Sequence, residues 1–273
     1  MSHPNVLTLS GQDFSAFRDL LYQRTGIDLN PSKQAMVAGR LAKRLRALHL
    51  TSFAQYYHYI NNEAHQDELE TALDLLTTNE TYFFREPKHF NFLAKQVIPA
   101  IPAQQTLRIW SAACSSGEEV YSLAMLLDQT RKGPWTLLGT DISHRMLELA
   151  RRGHYPMERG QYIPESLLKR YCLKGINQQE GTFLIQRALR ERVEFAYLNL
   201  IEPFPNLEPF DVILLRNVMI YFDLATKRDI VTRMLPLLRP GGYFMVSHSE
   251  SLNGLTQELQ ALAPAIYRKP PRA

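Results

Sequence analysis

Residues 107–124 read LRIWSAACSSGEEVYSLA, and this stretch gives the strongest structural signal in the chain. An apolar run at 107–110 is followed by small residues at 111–117, and apolar residues at helical spacing begin at Val120. A strand, a tight turn and a helix in this order form the first unit of a doubly wound sheet. The stretch therefore predicts an α/β domain with a polar site beside the turn, because backbone N–H groups of a helix N-terminus point there.

Short apolar runs alternate with helical patterns along much of the chain that follows, and this alternation favours a parallel sheet. One run ends in a carboxylate, Asp141, at the edge where such sheets bind ligands. The predicted strands lie at residues 135–141, 193–198, 210–215 and 243–246, and a turn at 240–242 precedes the last of them.

The alternation is interrupted at about residues 155–192. Pro156 and Pro164 break the pattern early, and residues 165–171 have the spacing of a short helix. Two strand-like pieces then flank a loop at 176–181, so we predict a small antiparallel β-subdomain inserted in the sheet domain. The two pieces lie at residues 172–175 and 182–186.

The first 80 residues predict helices only, with Gly26 as a C-cap and Asn30-Pro31 opening the second helix. The chain thus divides into a helical domain at 1–80 and an α/β domain at 81–273. Helical patterns cover about residues 14–21, 31–48, 51–60 and 67–76. The basic residues of the second helix include Arg40, Lys43, Arg44 and Arg46.

The composition is that of a globular protein with a substantial core, because 45% of the 273 residues are hydrophobic and 21% are charged. No run approaches the roughly 18 apolar residues of a membrane span, and the N-terminus lacks a secretory signal pattern. Two cysteines without a CxxC pair predict neither a disulfide framework nor a metal site. We therefore expect a cytoplasmic protein without a metal, and the net charge of +4 favours an acidic partner.

The turn after the first strand lacks the GxGxxG pattern of dinucleotide sites, because Gly117 is its only glycine. This disfavours a pyrophosphate-bearing cofactor. Glu118 and Glu119 follow directly, and they would repel a phosphate but attract an ammonium or sulfonium group. An alternative is that both glutamates only favour the helix N-terminus electrostatically.

Three further stretches place polar residues where a ligand would bind. Asp141 lies where a carboxylate receives ribose hydroxyls, although it could instead cap the following helix. Residues 77–86 combine aromatic and polar side chains at the junction of the two domains, and residues 216–222 put Arg, Asn and Tyr after an apolar strand. These stretches contain candidate ligand-binding residues. Alternatively, the aromatic residues of 77–86 only pack the two domains together, and the polar residues of 216–222 are buried in the core.

Six motifs in this order resemble the CheR family of chemotaxis receptor methyltransferases. They are TTNETYFFRE at 77–86, WSAACSSGEEVYSLA at 110–124, GTDI at 139–142, NL at 199–200, RNVMIYF at 216–222 and SHSE at 247–250. The resemblance extends from about Phe14 to Tyr267. It implies a Rossmann-like S-adenosylmethionine-dependent methyltransferase sheet with an N-terminal all-α domain and a small inserted antiparallel β-subdomain.

The resemblance also implies roles for individual residues. Arg85 and Tyr221 would lie closest to the transferred methyl group. Either Glu118 or Glu119 would hold the methionine or ribose portion of the cofactor, and Asp141 would take the ribose hydroxyls. The remaining cofactor contacts would come from Asn79, Thr81, Arg85, Asn199, Leu200, Asn217 and Val218.

The implied reaction is methyl transfer from S-adenosylmethionine to receptor glutamates, with S-adenosylhomocysteine as product. A free glutamate has a pKa near 4.3, so its carboxylate is an anion at neutral pH and no general base is needed. The acceptors would lie on the cytoplasmic helical region of the receptors, and the β-subdomain could also bind a receptor C-terminal peptide by strand addition. The residues that would dock on the helical region of the receptors are Arg40, Lys43, Arg44 and Arg46. The alternative is that they form only a solvated helix face.

Other interpretations fit the sequence less well. A methyltransferase acting on nucleic acid or another protein would also suit a basic helical domain, but the sequence has no Asn/Asp-Pro-Pro-aromatic run. A non-catalytic protein that senses the cofactor is disfavoured because the residues expected around the methyl group are present. The missing glycines disfavour a nicotinamide-dependent oxidoreductase. We therefore expect no nucleic-acid partner and no membrane insertion.

Overall fold

The computed structural model describes residues 7–272, which form two compact units. The first unit extends to Thr78 and includes Tyr221–Asp223, and the second comprises Asn79–Ile220 and the chain from Leu224 onward. Each unit has its own hydrophobic core. Within residues 7–272, no helix combines the length and the apolar character that crossing a bilayer requires.

The described part of the first unit is built from four α-helices, which confirms the prediction of a helical domain. They are α1 (Gly11–Thr25), α2 (Gln34–Ala47), α3 (Phe53–Ile60) and α4 (Gln66–Leu76). Ser10 and Asp13 form a capping box at the start of α1, and Gly26 ends it with a φ of 74°. Asn30 caps a 3-10 turn, Pro31–Lys33, which leads into α2.

Aromatic side chains fill the core of the first unit. The Phe17 ring of α1 lies 6.4 Å from the Phe53 ring and 6.2 Å from the Tyr56 ring of α3. All three residues are buried, so they join α1 to α3 through apolar contact. Helix α2 adds three buried residues at intervals of four, which are Val37, Leu41 and Leu45.

The described strands of the second unit form two sheets. They are β1 (Leu107–Ser111), β2 (Trp135–Asp141), β3 (His154–Pro156), β4 (Cys172–Lys174), β5 (Thr182–Ile185), β6 (Val193–Tyr197), β7 (Phe210–Leu214), β8 (Leu238–Met245), β9 (Gln260–Ala263) and β10 (Ile266–Arg268). The larger sheet has the order β6-β2-β1-β7-β8-β10-β9, parallel from β6 to β8 and antiparallel at β10 and β9. Because β2 and β7 flank β1, the strand order reverses beside β1, where doubly wound sheets bind ligands.

Helices complete the second unit. They are α5 (Pro87–Phe92), α6 (Ile98–Ala100), α7 (Glu118–Thr130), α8 (His144–Arg152), α9 (Glu165–Tyr171), α10 (Arg187–Arg190) and α11 (Leu224–Met234). A π-helical segment, Leu93–Val97, joins α5 to α6. Helix α7 packs closely on β2, since a Cβ atom at Gly139 would lie 2.7 Å from Val120 Cγ2. This close approach requires glycine in the middle of β2.

The predicted strands are confirmed at β1, β2, β6 and β7, but the predicted turn at 240–242 is wrong. Strand β8 runs through this position from Leu238 to Met245. Gly241 adopts a φ of 80°, and the register between β7 and β8 shifts between Phe210 and Val212. The glycine therefore absorbs an irregularity inside the strand instead of ending it.

The predicted β-subdomain is confirmed as a separate antiparallel sheet of order β3-β5-β4. Helix α9 lies at the predicted residues 165–171, and β4 and β5 lie at the two predicted strand positions. Strand β3 was not predicted, because it has three residues and ends in Pro156. Proline is tolerated there since β3 is an outer strand of its sheet.

Candidate functional site

The turn between β1 and α7 is held by neighbouring strands. The Ala112 N–H donates to a carbonyl of β7 and the Cys114 N–H to a carbonyl of β2, each at 2.9 Å. Gly117 has a φ of 92°, and a Cβ atom there would lie 2.8 Å from the Ala150 Cβ. Only glycine fits, and the turn is fixed at the carboxyl ends of β1, β2 and β7.

The Asp141 side chain, at the end of β2, binds this turn. One carboxylate oxygen accepts the Ser115 N–H at 2.8 Å, and the other accepts the Ser143 N–H at 2.9 Å. The N-cap of α8 is Ser143, whose hydroxyl accepts the Met146 N–H at 3.1 Å. Capping of α8, the alternative role considered for Asp141, is therefore performed by Ser143.

Glu118 is fully buried, and its carboxylate is paired within the protein. It forms an ion pair with Arg159 and accepts a hydrogen bond from the Ser116 hydroxyl at 2.7 Å. Its side chain has no exposed surface through which a ligand could reach it.

Glu119 lies between the ends of β1 and β7. One of its oxygens accepts the Ser111 hydroxyl at 2.7 Å, and the other pairs with Arg216 at 2.6 Å. Its side chain is 13% exposed. Of the two glutamates, Glu119 is thus the one that retains accessible surface.

Arg216 joins three parts of the second unit. It follows β7 almost directly, and its side chain is 1% exposed. Besides Glu119, it contacts a carboxylate oxygen of Glu86 at 3.2 Å and donates to the Arg85 carbonyl at 2.5 Å. One buried cation therefore holds two carboxylates and the backbone before α5.

Glu86 also lies beside two histidines. The backbone N of His248 is 3.3 Å from both Glu86 oxygens, and His89 Nδ1 is 3.4 Å from one of them. The three side chains are spaced closely enough to share a metal ion. Burial raises the pKa of Glu86, but Arg216 and the His248 N–H outweigh burial and hold the pKa below its ordinary value. The Arg216 guanidinium thus already supplies the positive charge beside this carboxylate.

His89 predicts a pH-dependent stability. It is 1% exposed, and burial together with the Arg216 charge lowers its pKa to about 4. Below about pH 6.5, the His89 imidazole binds a proton in the unfolded chain but not in the folded chain. Lowering the pH therefore favours the unfolded chain and decreases the stability. From pH 7 to pH 5, we expect the His89 contribution to the free energy of unfolding to drop by about 2 kcal/mol.

Chemical denaturation at both pH values measures this effect. The His89→Gln variant should have a smaller pH dependence than the unmodified protein, and His58→Gln, at an exposed histidine, is the matched control. Equal pH dependence in the unmodified protein and in His89→Gln would contradict the assignment.

The segment that begins the second unit contacts the turn. The Asn79 carbonyl accepts the Ser115 hydroxyl at 3.1 Å. Arg85 donates to the Glu80 carbonyl at 2.8 Å, and both Thr81 and Arg85 are half-buried. The structure therefore brings Asn79 to the turn, and the contacts of this segment with a cofactor stay predictions.

Asn217 has a φ of 58°, a left-handed conformation that residues other than glycine rarely adopt. Glu250 stabilises it by accepting three backbone N–H groups, from Asn217 at 2.9 Å, Ser247 at 2.9 Å and Ile220 at 3.2 Å. Asn217 and Val218 are half-buried at this strand end.

The remaining predicted site residues lie in both units. Asn199 and Leu200 follow β6 and are buried, and the Asn199 amide donates to Glu202 at 3.0 Å. Tyr221 belongs to the first unit, where its carbonyl accepts the Asp28 N–H at 2.8 Å. The roles of these residues toward the cofactor and the methyl group stay predictions.

Two of the four predicted docking residues have partners within the first unit. Arg40 donates to three carbonyls at the C-terminal end of α4 at 2.9–3.1 Å. Arg44 forms an ion pair with Glu68. Burial raises the pKa of Glu68, but the hydrogen bonds from Arg44 and Tyr56 together with the Arg44 charge outweigh burial and hold the pKa below its ordinary value. The two exposed members of the set are Lys43 and Arg46.

Among the residues of this region that were not predicted as site residues are three that hold it together: Arg216, Arg159 and Glu250. The sequence could have indicated Arg216, because a charged residue soon after an apolar strand lies at the edge where such sheets bind ligands. Arg159 lies 41 residues from its partner Glu118, and no local pattern links the two.

Two family models match the chain. The CheR methyltransferase all-alpha domain matches residues 12–77, and the CheR methyltransferase SAM binding domain matches residues 79–267. Models from one family thus account for most of the chain.

Named relatives match this chain over nearly its whole length. The chemotaxis protein methyltransferase of Escherichia coli is 39% identical over 96% of this chain and 92% of its own. Chemotaxis protein methyltransferase 2 of Pseudomonas aeruginosa is 39% identical over 94% and 92%, and the chemotaxis protein methyltransferase of Borreliella burgdorferi is 34% identical over 96% of both. The chain therefore belongs to the CheR family of S-adenosylmethionine-binding methyltransferases.

Proposed function

We propose that this chain transfers the methyl group of S-adenosylmethionine to glutamate side chains of chemotaxis receptors, giving glutamate methyl esters and S-adenosylhomocysteine. The family and the named relatives support receptor methylation over methylation of nucleic acid. The acceptor glutamates would lie on the cytoplasmic helical region of the receptors, so we place the reaction in the cytoplasm. The observation that carries the proposal is the pair of carboxylates, Glu119 and Asp141, beside a turn without phosphate-binding glycines.

We assign Glu119, rather than Glu118, to the methionine portion of the cofactor. Glu119 keeps exposed surface, whereas Glu118 is enclosed. The carboxylates of Glu119 and Glu86 share one guanidinium, that of Arg216, so the group carries an excess of negative charge. This excess favours a ligand with an ammonium or sulfonium group.

We assign Asp141 to the ribose hydroxyls. It lies at the carboxyl end of the second strand, and its two oxygens are fixed by backbone N–H groups on either side. The remaining contacts proposed for the cofactor come from Asn79, Thr81, Arg85, Asn199, Leu200, Asn217 and Val218.

When bound, S-adenosylmethionine supplies a methyl group on a positively charged sulfur. The receptor glutamate has an ordinary pKa near 4.3, so it is already ionised and needs no general base. The task of the protein is to align the two reactants, and alignment can supply several kcal/mol. We propose that Arg85 orients the incoming carboxylate by hydrogen bonds and that Tyr221 covers the methyl group or binds the same carboxylate.

Methyl-labelled S-adenosylmethionine and receptor-containing membranes test the proposal. Label that is released from the receptor band by alkali identifies carboxyl methyl esters. Alkali-stable label would indicate methylation of an amine, and label in added nucleic acid would favour the competing substrate class. The same mixture without the protein is the control.

We propose that Lys43 and Arg46 of α2 dock the receptor. Both are exposed, whereas Arg40 and Arg44 are held by α4. Replacing Arg44 by glutamate would put a carboxylate beside buried Glu68, so a loss of activity in that variant would report destabilisation rather than docking.

The Lys43→Glu/Arg46→Glu variant should therefore lower receptor methylation by roughly tenfold at low ionic strength, because two favourable surface charges become repulsive. S-adenosylhomocysteine affinity, measured by calorimetry, should stay unchanged. Lys95→Glu/Lys132→Glu, at two exposed lysines of the second unit, is the control with the same change of net charge. Receptor turnover equal to that of the control would remove the docking role.

We also propose that the small sheet binds a receptor C-terminal peptide along β4. Among the strands that the structure describes, β4 pairs with β5 alone, and Leu173 within β4 is 53% exposed. A peptide strand could add to its free edge through main-chain hydrogen bonds. Titration with receptor tail peptides tests this, and Leu173→Glu should weaken the binding without changing S-adenosylhomocysteine affinity.

A further inference from the structure

The inserted β-subdomain supplies contacts to the turn between β1 and α7. The Tyr155 hydroxyl of β3 donates to the Ser116 carbonyl at 2.7 Å. Arg159, from the 3-10 helix Met157–Tyr162, forms the ion pair with Glu118 and lies 3.3 Å from the Ser116 hydroxyl. Two side chains of the insertion therefore hold the turn on which the candidate cofactor site is built.

Arg159 and Glu118 differ sharply in exposure. The Arg159 side chain is 42% exposed, whereas the Glu118 side chain has no exposed surface. An arginine without a partner would remain solvated, but a fully buried carboxylate without a cation is strongly unfavourable. The pair therefore matters mainly to Glu118 and to the turn that precedes it.

The turn itself needs external support. Ser115 has a φ of 48° and Gly117 a φ of 92°, and a left-handed serine is uncommon. In this conformation the Ser115 N–H reaches the Asp141 carboxylate at 2.8 Å. Movement of Glu118 toward solvent would displace the neighbouring turn residues and with them this hydrogen bond.

We propose that Arg159 is a positioning residue of the S-adenosylmethionine site, which neutralises Glu118 and so fixes the turn that orients Asp141. The inference rests on the proposed function. It gives the inserted subdomain a part in cofactor binding, through a residue whose contacts are with Glu118 and the turn.

Calorimetric binding of S-adenosylhomocysteine tests the role of Arg159. Arg159→Ala should weaken the affinity by at least about tenfold, because Glu118 loses its cation. Arg159→Ala/Glu118→Gln should restore it to within about threefold of the unmodified protein. The neutral amide can still accept the Ser116 hydroxyl and needs no cation. Arg187→Ala, at an exposed arginine of the same insertion, is the matched control.

The outcomes separate this inference from the proposed function. An unmodified protein that takes up no S-adenosylhomocysteine would refute the proposed function. If it does bind, unchanged affinity in Arg159→Ala, with circular dichroism showing a folded protein, would overturn the positioning role. A double variant as weak as Arg159→Ala would also overturn it, because neutralisation of Glu118 would then not be the reason for the effect.

Discussion

Arg216→Met is expected to lower kcat/KM for receptor methylation by at least about a hundredfold, which corresponds to about 2.7 kcal/mol. Arg216 contacts Glu119, Glu86 and the Arg85 carbonyl from a side chain that is 1% exposed. Without the guanidinium, two partly buried carboxylates face each other, and the backbone that carries Arg85 loses its donor. The proposed methionine and methyl ends of the site are therefore disturbed together.

A loss of stability must be separated from a loss of function, because breaking a buried ion pair costs about 3–5 kcal/mol. Arg216→Met/Glu86→Gln removes one carboxylate along with the cation and should regain most of the thermal stability. Methylation should remain low in it, because the Arg85 carbonyl still lacks its donor. Arg216→Lys keeps the positive charge, but its compact ammonium lacks the planar spread of donors with which the guanidinium reaches three separate groups, so intermediate activity is expected. Activity within about threefold of the unmodified protein in Arg216→Met would refute the positioning role of Arg216.

The sheet was predictable because its central strands are short, apolar and bounded by small residues. Strand β2 has the predicted bounds, and the sequence pattern alone predicts that Asp141 lies at its end. The helical first unit was predictable for a similar reason, since Gly26 is a local stop signal and Asn30 a local start signal.

Features that depend on distant partners were not predictable. Strand β3 exists only because β5, about thirty residues later, pairs with it, and its own three residues include a proline. Gly241 is compatible with either a turn or an irregular strand, and pairing of β8 with β7 and β10 decides for the strand. Local patterns specify an element, but contacts far apart in sequence select among its allowed forms.

The same distinction applies to the candidate site. Parallel strands bring their carboxyl ends together, so the sequence placed Asp141 and Glu119 at one edge of the sheet. It left open which of two adjacent glutamates stays accessible. That depends on Arg159 enclosing Glu118 and on Arg216 pairing with Glu119, two cations that are distant in the sequence.

Asp141→Asn is expected to weaken S-adenosylhomocysteine binding by at least about a hundredfold, while the protein stays folded. The carboxylate only accepts hydrogen bonds, and its surroundings offer donors: the Ser115 N–H, the Ser143 N–H and, in our proposal, two ribose hydroxyls. An asparagine must turn its NH2 group toward one of these donors. Hydrogen bonds to a charged group contribute about 1.5–3 kcal/mol each and neutral ones about 0.5–1.5 kcal/mol, so losing one bond with the ribose and weakening the other, which then meets a neutral amide, accounts for the effect.

Calorimetry on three proteins separates the ribose role of Asp141 from its structural role. Ser143→Ala removes the cap of α8, whose loss costs about 0.5–2 kcal/mol of stability, but leaves the carboxylate in place. It should bind S-adenosylhomocysteine almost as well as the unmodified protein. If Ser143→Ala and Asp141→Asn lose affinity equally, the effect comes from the backbone around α8. If Asp141→Asn alone loses it, the acceptor oxygens of Asp141 are the cause, because the two variants disturb the same loop but only one removes a negative charge.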